Sequence, residues 1–181
     1  MSEFVPESSI ASSAQIDATV RIGRFCLIED GVRIGRDSII GDFCIIRSGT
    51  TIGPETRVMN FVELREDTRI GVNCYIDSGV KSSGSCSVGD RVTIRYDAIL
   101  ARGCVIENDV YISPQVMFIN VDPSGNAIGG ALVGSNCFIG TNATIQAGVT
   151  ICPGVVVGAK ALVTRSLDQP GTYVGSPARL Q

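Results

Sequence analysis

The sequence predicts an all-β chain wound into a parallel β-helix, because apolar residues recur at every sixth position. A branched or large apolar residue stands at each sixth position from Ile10 to Phe118, and only Ser82 interrupts the series. Four residues after each of these comes a small or β-branched residue. A period of six fits neither a 3.6-residue helix nor an alternating strand. It is typical of a solenoid with one short strand on each side of a prism.

The repeat divides the chain into a short lead-in, a long solenoid and a tail. Residues 1–9 are polar, and residues 10–168 carry the hexads, which predict about eight coils of three hexads each. Residues 119–132 do not follow the hexad pattern, and the repeat resumes at Val133. We expect this insertion to form a surface loop, often the binding face of a repeat protein, with a harmless insertion as the alternative. Residues 169–181 are rich in Pro and Gly and predict a C-terminal cap or tail.

Glycine is frequent at one hexad position, directly after the apolar residue. We expect these glycines to serve the turns between sides, where a Cβ is costly at positive φ. The chain has 21 glycines, and those at this position include Gly23, Gly35, Gly41, Gly53, Gly71 and Gly89.

Composition excludes several classes of function. The net charge is −3, which gives no basic field for nucleic acid. No apolar run approaches the roughly 18 residues of a membrane span, and the first residues lack the basic and apolar stretches of a signal peptide. We therefore expect a cytoplasmic protein without a membrane or nucleic-acid partner. The bias for arginine over lysine is compatible with recognition of carboxylates or phosphates.

Six of the seven cysteines occupy the small-residue position of the hexad. One interpretation is a metal or redox set; the other is a small buried hydrophobe in a tight corner, which we favour. The sequence has no Cys-x-x-Cys pair and no histidine, so we expect no metal. Cys26 and Cys44, like Cys86 and Cys104, are three hexads apart and should stack with parallel side chains, which argues against disulfides.

The hexads, with their Ile-Gly-x-x-Cys/Val/Thr-x pattern, resemble those of the hexapeptide-repeat acyltransferases. That resemblance implies a left-handed parallel β-helix and a homotrimer. The segment 110–123 is similar to the stretch before the extended loop of nucleotide-sugar 3-N-acetyltransferases, and 174–179 (Val-Gly-Ser-Pro-Ala-Arg) is similar to an ending common in the superfamily. The resemblance implies transfer of an acetyl group from acetyl-CoA to the amine of a nucleotide-linked amino sugar.

The chain departs from these relatives at the residues expected to do the chemistry. It has no histidine, which many relatives use as a general base. A stretch rich in Trp and His in the aminosugar enzymes corresponds here to 59–63, Met-Asn-Phe-Val-Glu, and Asp97 takes the place of an Asn that contacts the acceptor. Two alternatives therefore stay open: a non-catalytic scaffold or regulatory subunit, and an O-acetyltransferase of a sugar or serine.

Counting in steps of three hexads predicts which side chains stack on successive coils. Glu63 and Lys81 fall in one column, Arg65 in a second, Asp97 in a third, and Asn60 and Tyr96 in a fourth. We expect these columns to share the edge from which the loop departs, as in a site roofed by a loop; the alternative is a solvated edge with ion pairs such as Glu63–Lys81. The predicted catalytic residues are Asp97 or Glu63 as proton acceptor and Asn120 as oxyanion donor. The predicted substrate-binding residues are Asn60, Arg65, Lys81, Arg95 and Tyr96.

The resemblance also implies a pantetheine groove along the late coils, between subunits. The residues in the matching repeats are Gly140, Ala147, Ala159 and Lys160. Arg165 and Arg179 are candidates for the phosphates of coenzyme A, since guanidinium groups suit them. The alternative for both is a solvent-exposed arginine near the chain end.

Overall fold

The computed structural model describes residues 7–181 and confirms the predicted fold class. The chain is a left-handed parallel β-helix of about nine turns, one more than the hexad count predicts. Its short strands form three sheets, and every strand pairing between successive coils is parallel. In the described part of the chain, one strand pair is antiparallel, Thr172–Val174 with Arg179–Leu180. No helix long and apolar enough to cross a membrane occurs among these residues.

The strands follow one another around the prism, so that every third strand belongs to the same sheet. Sheet A contains β1 (Ser9–Ile10), β4 (Leu27–Ile28), β7 (Ile45–Ile46), β10 (Glu63–Leu64), β13 (Lys81–Ser82), β16 (Ile99–Leu100), β19 (Met117–Phe118), β22 (Thr144–Ile145) and β25 (Leu162–Val163). Sheet B contains β2 (Gln15–Ile16), β5 (Arg33–Ile34), β8 (Thr51–Ile52), β11 (Arg69–Ile70), β14 (Ser87–Val88), β17 (Val105–Ile106), β20 (Leu132–Val133) and β23 (Thr150–Ile151). Sheet C contains β3 (Arg21–Ile22), β6 (Ile39–Ile40), β9 (Arg57–Val58), β12 (Tyr75–Ile76), β15 (Thr93–Ile94), β18 (Tyr111–Ile112), β21 (Phe138–Ile139), β24 (Val156–Val157), β26 (Thr172–Val174) and β27 (Arg179–Leu180).

The register confirms a coil of three hexads. Glu63 pairs with Lys81, and Lys81 pairs with Ile99. In each two-residue strand of the central coils the first side chain faces outward and the second fills the core, where Ile46, Ile76, Ile94 and the other core isoleucines are nearly inaccessible. Ser82, which breaks the apolar series, is also buried, and its hydroxyl hydrogen-bonds with that of Thr68.

Two-residue turns join the sheets and define three edges of the prism. The turns of the AB edge include 30–31, 48–49, 66–67, 84–85, 102–103 and 147–148; those of the BC edge include 36–37, 54–55, 72–73, 90–91, 108–109 and 135–136; those of the CA edge include 24–25, 42–43, 60–61, 78–79, 96–97, 114–115, 141–142 and 159–160.

The expected role of the glycines after the apolar residue is wrong. Gly71 and its equivalents are not among the residues with positive φ; the left-handed position is the second turn residue, which is often Asp or Asn, as at Asp97 and Asn73. A Cβ on Gly71 would lie 2.4 Å from the carbonyl oxygen of Gly89 on the next coil. Glycine is therefore required there because the backbones of two coils approach each other closely.

Five of the six buried cysteines share one hydrogen-bonding arrangement. The thiol of Cys44 donates to the carbonyl oxygen of Met59 at 3.0 Å, and that of Cys74 donates to the carbonyl oxygen of Gly89 at 3.1 Å. The hydroxyls of Ser38 and Thr56 make the same contact from equivalent positions. All seven cysteines are free, six of them buried, and no cluster of metal-ligating side chains occurs within residues 7–181. Where the small hexad position carries Cys, Ser or Thr instead of Val or Ala, its side chain can therefore donate to a backbone carbonyl of the next coil.

We expect the buried thiols to make the stability of the fold sensitive to alkaline pH. Burial raises the pKa of the Cys44 and Cys104 thiols from 9.0 to about 12. Unfolding exposes thiols that ionise near pH 9, so we expect their contribution to the free energy of unfolding to be constant below that pH and to fall as the pH rises toward 12. Urea titrations at pH 8 and 10.5 measure the loss. Cys104→Ala should reduce it, whereas Cys152→Ala, at a half-buried position, should not; equal pH dependence in all three proteins would contradict the prediction.

The insertion lengthens one coil without disturbing the stack. Met117 on β19 pairs with Thr144 on β22, so this coil is longer than its neighbours by the length of the inserted segment. Leu132 already belongs to β20, so the loop comprises residues 119–131. At the C-terminus, β26 pairs with β24 and then with β27, which covers the end of sheet C with an antiparallel strand.

Candidate functional site

The predicted site residues are spread over two edges of the prism and the sheets beside them, and the expectation of a single edge is wrong. Asp97 lies on the CA edge, whereas the loop leaves β19 and returns to β20 at the AB edge. Sheet A separates the two, and Glu63 faces outward from it. The column arithmetic gives the correct stacking, but it does not show on which side of a sheet each turn lies.

Asp97 presents its carboxylate over a glycine of the coil before it. The residue is exposed and has a left-handed backbone with φ of 58°. Its Oδ1 lies 2.2 Å from the place where a Cβ of Gly79 would stand, so that glycine makes room for the carboxylate. Within residues 7–181 the carboxylate accepts no hydrogen bond and forms no ion pair. The carboxylate is therefore exposed and has no partner within the described residues.

Glu63 is already engaged by a neighbouring guanidinium. The Nε atom of Arg65 donates to Oε1 of Glu63 at 3.1 Å, and the Glu63 side chain is largely covered. The expected ion pair with Lys81 does not form, although the two residues pair directly in sheet A. Lys81 is exposed, and no carboxylate of the described chain lies within 4.0 Å of its amine. Glu63 is thus a weaker candidate for the base than Asp97, while the Lys81 amine has no carboxylate partner in the described chain.

Asn60 has a structural contact in addition to any role in binding. Its side-chain oxygen accepts a hydrogen bond from the Asp42 backbone N–H at 2.8 Å, and Asp42 in turn accepts one from the Arg24 N–H at 2.7 Å. This ladder joins successive coils at the CA edge.

Next to that ladder lies a feature that the sequence analysis did not single out. Phe25, Phe43 and Phe61 stack with ring centroids 4.9 and 5.1 Å apart, and each ring is about half exposed. Their spacing of three hexads is the signal that reveals the stack. The rings fill the same column as Gly79 and Asp97, so the column changes from apolar to acidic along the CA edge.

Arg95 holds its position through two partners. It donates from Nε to Oδ2 of Asp77 at 2.9 Å and from a terminal nitrogen to the hydroxyl of Tyr111 at 3.1 Å. Its guanidinium carbon lies 5.8 Å from the centre of the Tyr96 ring, within cation–π range. These bonds raise the pKa of the Arg95 guanidinium. Arg95 therefore packs beside Tyr96, which remains exposed, and Asp77 holds Arg95 from the coil before it. The three-hexad spacing of Asp77 and Arg95 is the signal that could have revealed this pair.

Asn120 lies at the base of an ordered loop. Its carbonyl oxygen accepts the N–H groups of Ile128 and Gly129, and Val121 bridges to Ala127. Both oxygens of Asp122 accept hydrogen bonds from the turn at Ser124 and Asn126, which lowers the pKa of the Asp122 carboxyl.

A cleft of about 450 Å³ lies between the loop and the prism at the AB edge. Its lining is mainly apolar and contains Ile119, Val121, Asp122, Pro123, Ile128, Gln146 and Ala147. Ala147 is thus the one predicted cofactor residue that lines the cleft under the loop.

The other predicted cofactor residues lie on different parts of the late coils. Ala159 and Lys160 form a turn of the CA edge, and a Cβ on Gly140 would lie 2.5 Å from the Ala159 nitrogen. Arg165 is exposed beside the last coil, in a depression that it shares with Tyr173 and Leu180. Arg179, on β27, donates to the carbonyl oxygen of Ala178 at 2.8 Å.

Comparison with known proteins supports the repeat and the fold. Residues 130–165 match the family described as bacterial transferase hexapeptide (six repeats). The hexad register of the structure extends the same repeat from Ile10 to Val163. The solenoid of this chain is therefore built from a repeat similar to that of the bacterial hexapeptide transferases. Its solenoid is also similar to a solved UDP-N-acetylglucosamine acyltransferase, with a TM-score of 0.84, 19% identity and coverage of 97% of this chain and 72% of the other.

Further relatives of this hexapeptide-repeat chain are acyl-group transferases by name. UDP-3-O-acylglucosamine N-acyltransferase of Albidiferax ferrireducens is 27% identical over 111 residues, which cover 53% of this chain and 33% of that protein. A chloramphenicol acetyltransferase of Agrobacterium fabrum is 35% identical over 51 residues, 28% of this chain and 24% of the other. The UDP-N-acetylglucosamine O-acyltransferase of Moraxella catarrhalis has the same fold, with a TM-score of 0.62 at 20% identity, covering 98% of this chain and 73% of the other. The chain thus spans about a third of the length of the first curated relative.

Proposed function

We propose that this protein is a coenzyme A-dependent N-acyltransferase, with acetyl-CoA as donor and the amine of a nucleotide-linked amino sugar as acceptor. The observation that carries the proposal is the Asp97 carboxylate, which has no partner within residues 7–181, on a hexapeptide-repeat prism with one extended coil. The names of the relatives support acyl transfer as the reaction class. An amine acceptor suits a chain without histidine, because a neutral amine is nucleophilic without deprotonation.

The chemistry assigned to the chain's residues is positioning followed by removal of one proton. The amine nitrogen attacks the thioester carbonyl, the carbon–sulfur bond breaks, and the coenzyme A thiolate leaves. Asp97 accepts the proton that the nitrogen loses, directly or through a water. The Asn120 amide is assigned to the oxyanion. The residues assigned to binding of the acceptor are Asn60, Arg65, Lys81, Arg95 and Tyr96. Those assigned to binding of coenzyme A are Gly140, Ala147, Ala159, Lys160, Arg165 and Arg179.

A homotrimer reconciles the two separated groups of residues. In a single chain, Asp97 and Tyr96 lie on the CA edge, while Asn120 and Ala147 lie on the AB edge. The resemblance to hexapeptide-repeat enzymes implies a groove between subunits. We propose that the CA edge of one subunit faces the loop of the next, so that each complete site draws on two chains.

Asp97→Asn tests the assignment of the base. We expect the turnover number to fall about a hundredfold or more, because the amide keeps the shape but cannot accept the proton. Glu63→Gln should change turnover only a few-fold, because Arg65 already occupies that carboxylate. Release of free thiol from acetyl-CoA measures both variants. Unchanged turnover in Asp97→Asn would remove it from the mechanism.

Thermal shift with coenzyme A alone separates the enzyme from a scaffold. Ligand that binds only the folded state raises the melting temperature. We expect stabilisation in the wild-type protein. No shift at millimolar coenzyme A, together with no turnover, would favour the non-catalytic scaffold.

A further inference from the structure

The outer face of sheet C carries a groove that the acyltransferase proposal does not use. Four outward side chains stack there in register: Arg21, Ile39, Arg57 and Tyr75. They line a groove of about 440 Å³ together with residues of the BC edge, which include Asp37, Glu55 and Asn73. The two arginines stand on either side of Ile39, two strands apart, which separates their Cα atoms by about 10 Å.

Some charged side chains around this groove form ion pairs and others do not. A guanidinium nitrogen of Arg36, on the adjoining turn, lies 3.5 Å from a carboxylate oxygen of Asp37 and 3.6 Å from one of Glu55, and so offsets part of their negative charge. In the described chain, no carboxylate lies within 4.0 Å of the guanidinium of Arg21 or Arg57. Both arginines are exposed. The groove therefore holds two arginines without a carboxylate partner in the described chain, beside two acids that share a single arginine.

We infer that this groove binds a diphosphate group between Arg21 and Arg57. Long side chains two strands apart can converge on one ligand, and guanidinium groups form paired hydrogen bonds with phosphate oxygens. A diphosphate offers separate oxygens to each arginine, whereas a single phosphate has fewer oxygens, which the two arginines would have to share. The ring of Tyr75, next in the same column, gives a flat partner for a base, so a nucleoside diphosphate fits the groove better than free pyrophosphate. The inference does not depend on acyl transfer.

Isothermal titration of the full chain with pyrophosphate, UDP and inorganic phosphate tests the site. We expect pyrophosphate and UDP to bind more tightly than phosphate, and Arg21→Ala and Arg57→Ala each to weaken them about tenfold or more. UDP binding more tightly than pyrophosphate, with the difference lost in Tyr75→Ala, identifies a nucleoside diphosphate. Equal affinity for the two, with the same dependence on the arginines, identifies the diphosphate alone as the ligand.

Sheet B supplies a matched control. Arg33 and Arg69 are also exposed and two strands apart, with Thr51 between them, but they do not line this groove. Arg33→Ala and Arg69→Ala should leave pyrophosphate binding within twofold. Equal losses in the two pairs would overturn the site, because they would show only a general effect of charge, and so would the absence of binding by all three probes.

Replacement of Asp37 and Glu55 tests the opposite effect, an increase in affinity for pyrophosphate. Replacing both acids, as Asp37→Asn with Glu55→Gln, removes negative charge beside the arginines and should strengthen pyrophosphate binding several-fold. Weaker binding of pyrophosphate by this double variant would contradict a site between Arg21 and Arg57.

Discussion

Deletion of residues 120–128 should abolish acyl transfer while leaving the β-helix folded. The coil that carries the loop is longer than its neighbours, and removal of this segment restores the three-hexad period between β19 and β22. The deletion removes Asn120 and the apolar roof formed by Val121 and Ile128. We expect turnover to fall at least a hundredfold, since loss of positioning alone has that scale. Circular dichroism and the melting temperature measure the fold, and thiol release measures activity.

The same deletion also tests whether each site draws on two subunits, when it is combined with a second variant in one assembly. If a site draws the CA edge from one chain and the loop from the next, subunits with Asp97→Asn and subunits lacking 120–128 can form one intact site between them. Coexpression of the two inactive variants should therefore restore part of the activity. Failure to restore it, in particles that contain both chains, would place the whole site within one subunit. Full activity of the deletion variant would remove the loop from the mechanism.

Gly71→Ala should be among the most destabilising single substitutions in the chain. Its Cβ would lie 2.4 Å from the Gly89 carbonyl oxygen and 2.5 Å from the Gly89 carbonyl carbon, and backbone cannot move aside as a flexible side chain can. We expect a loss of about 3 kcal/mol in the free energy of unfolding, at the upper end of the range for overpacking. Urea denaturation measures it.

Gly154 is the matched control, because it needs glycine for a different reason. It has a left-handed backbone with φ of 75°, and a Cβ there would meet no atom within 4 Å. Gly154→Ala should cost only about 1 kcal/mol, and Gly154→Asn less, since Asn already occupies this turn position at residues 73, 136 and 142. If Gly154→Ala proved the more damaging, close approach of the coils would not be the reason for the glycines at 71 and 89.

The fold was predictable from sequence because each coil repeats one local arrangement. The six-residue period identifies the core residues, and the sum of three hexads gives the register, as the pairing of Glu63 with Lys81 shows. The glycine after the apolar residue was assigned the wrong cause, because hexad spacing does not distinguish a turn that needs positive φ from a contact between coils. The structure distinguishes the two causes: Gly71 lies at a close contact between coils, whereas Asn73 is the turn residue with positive φ.

The candidate site was less predictable, because stacking along the prism and position around it are separate properties. Counting three hexads places Asp97 above Gly79 but does not show that sheet A lies between Asp97 and the loop. Partners that depend on side-chain conformation also escaped the pattern. Glu63 pairs with Arg65 on its own strand end rather than with Lys81, although Glu63 and Lys81 are the pair with three-hexad spacing.

Thiol release from acetyl-CoA is the decisive measurement for the proposed reaction, made with a nucleotide-linked amino sugar and with the matching sugar that carries a hydroxyl in place of the amine. We expect rapid release with the amino sugar, at least a hundredfold slower release with the hydroxyl analogue, and loss of the amine-dependent rate in Asp97→Asn. Equal or faster reaction of the hydroxyl sugar, or no release with any amine across a panel of nucleotide-linked amino sugars, would contradict the assignment of this chain as an N-acyltransferase.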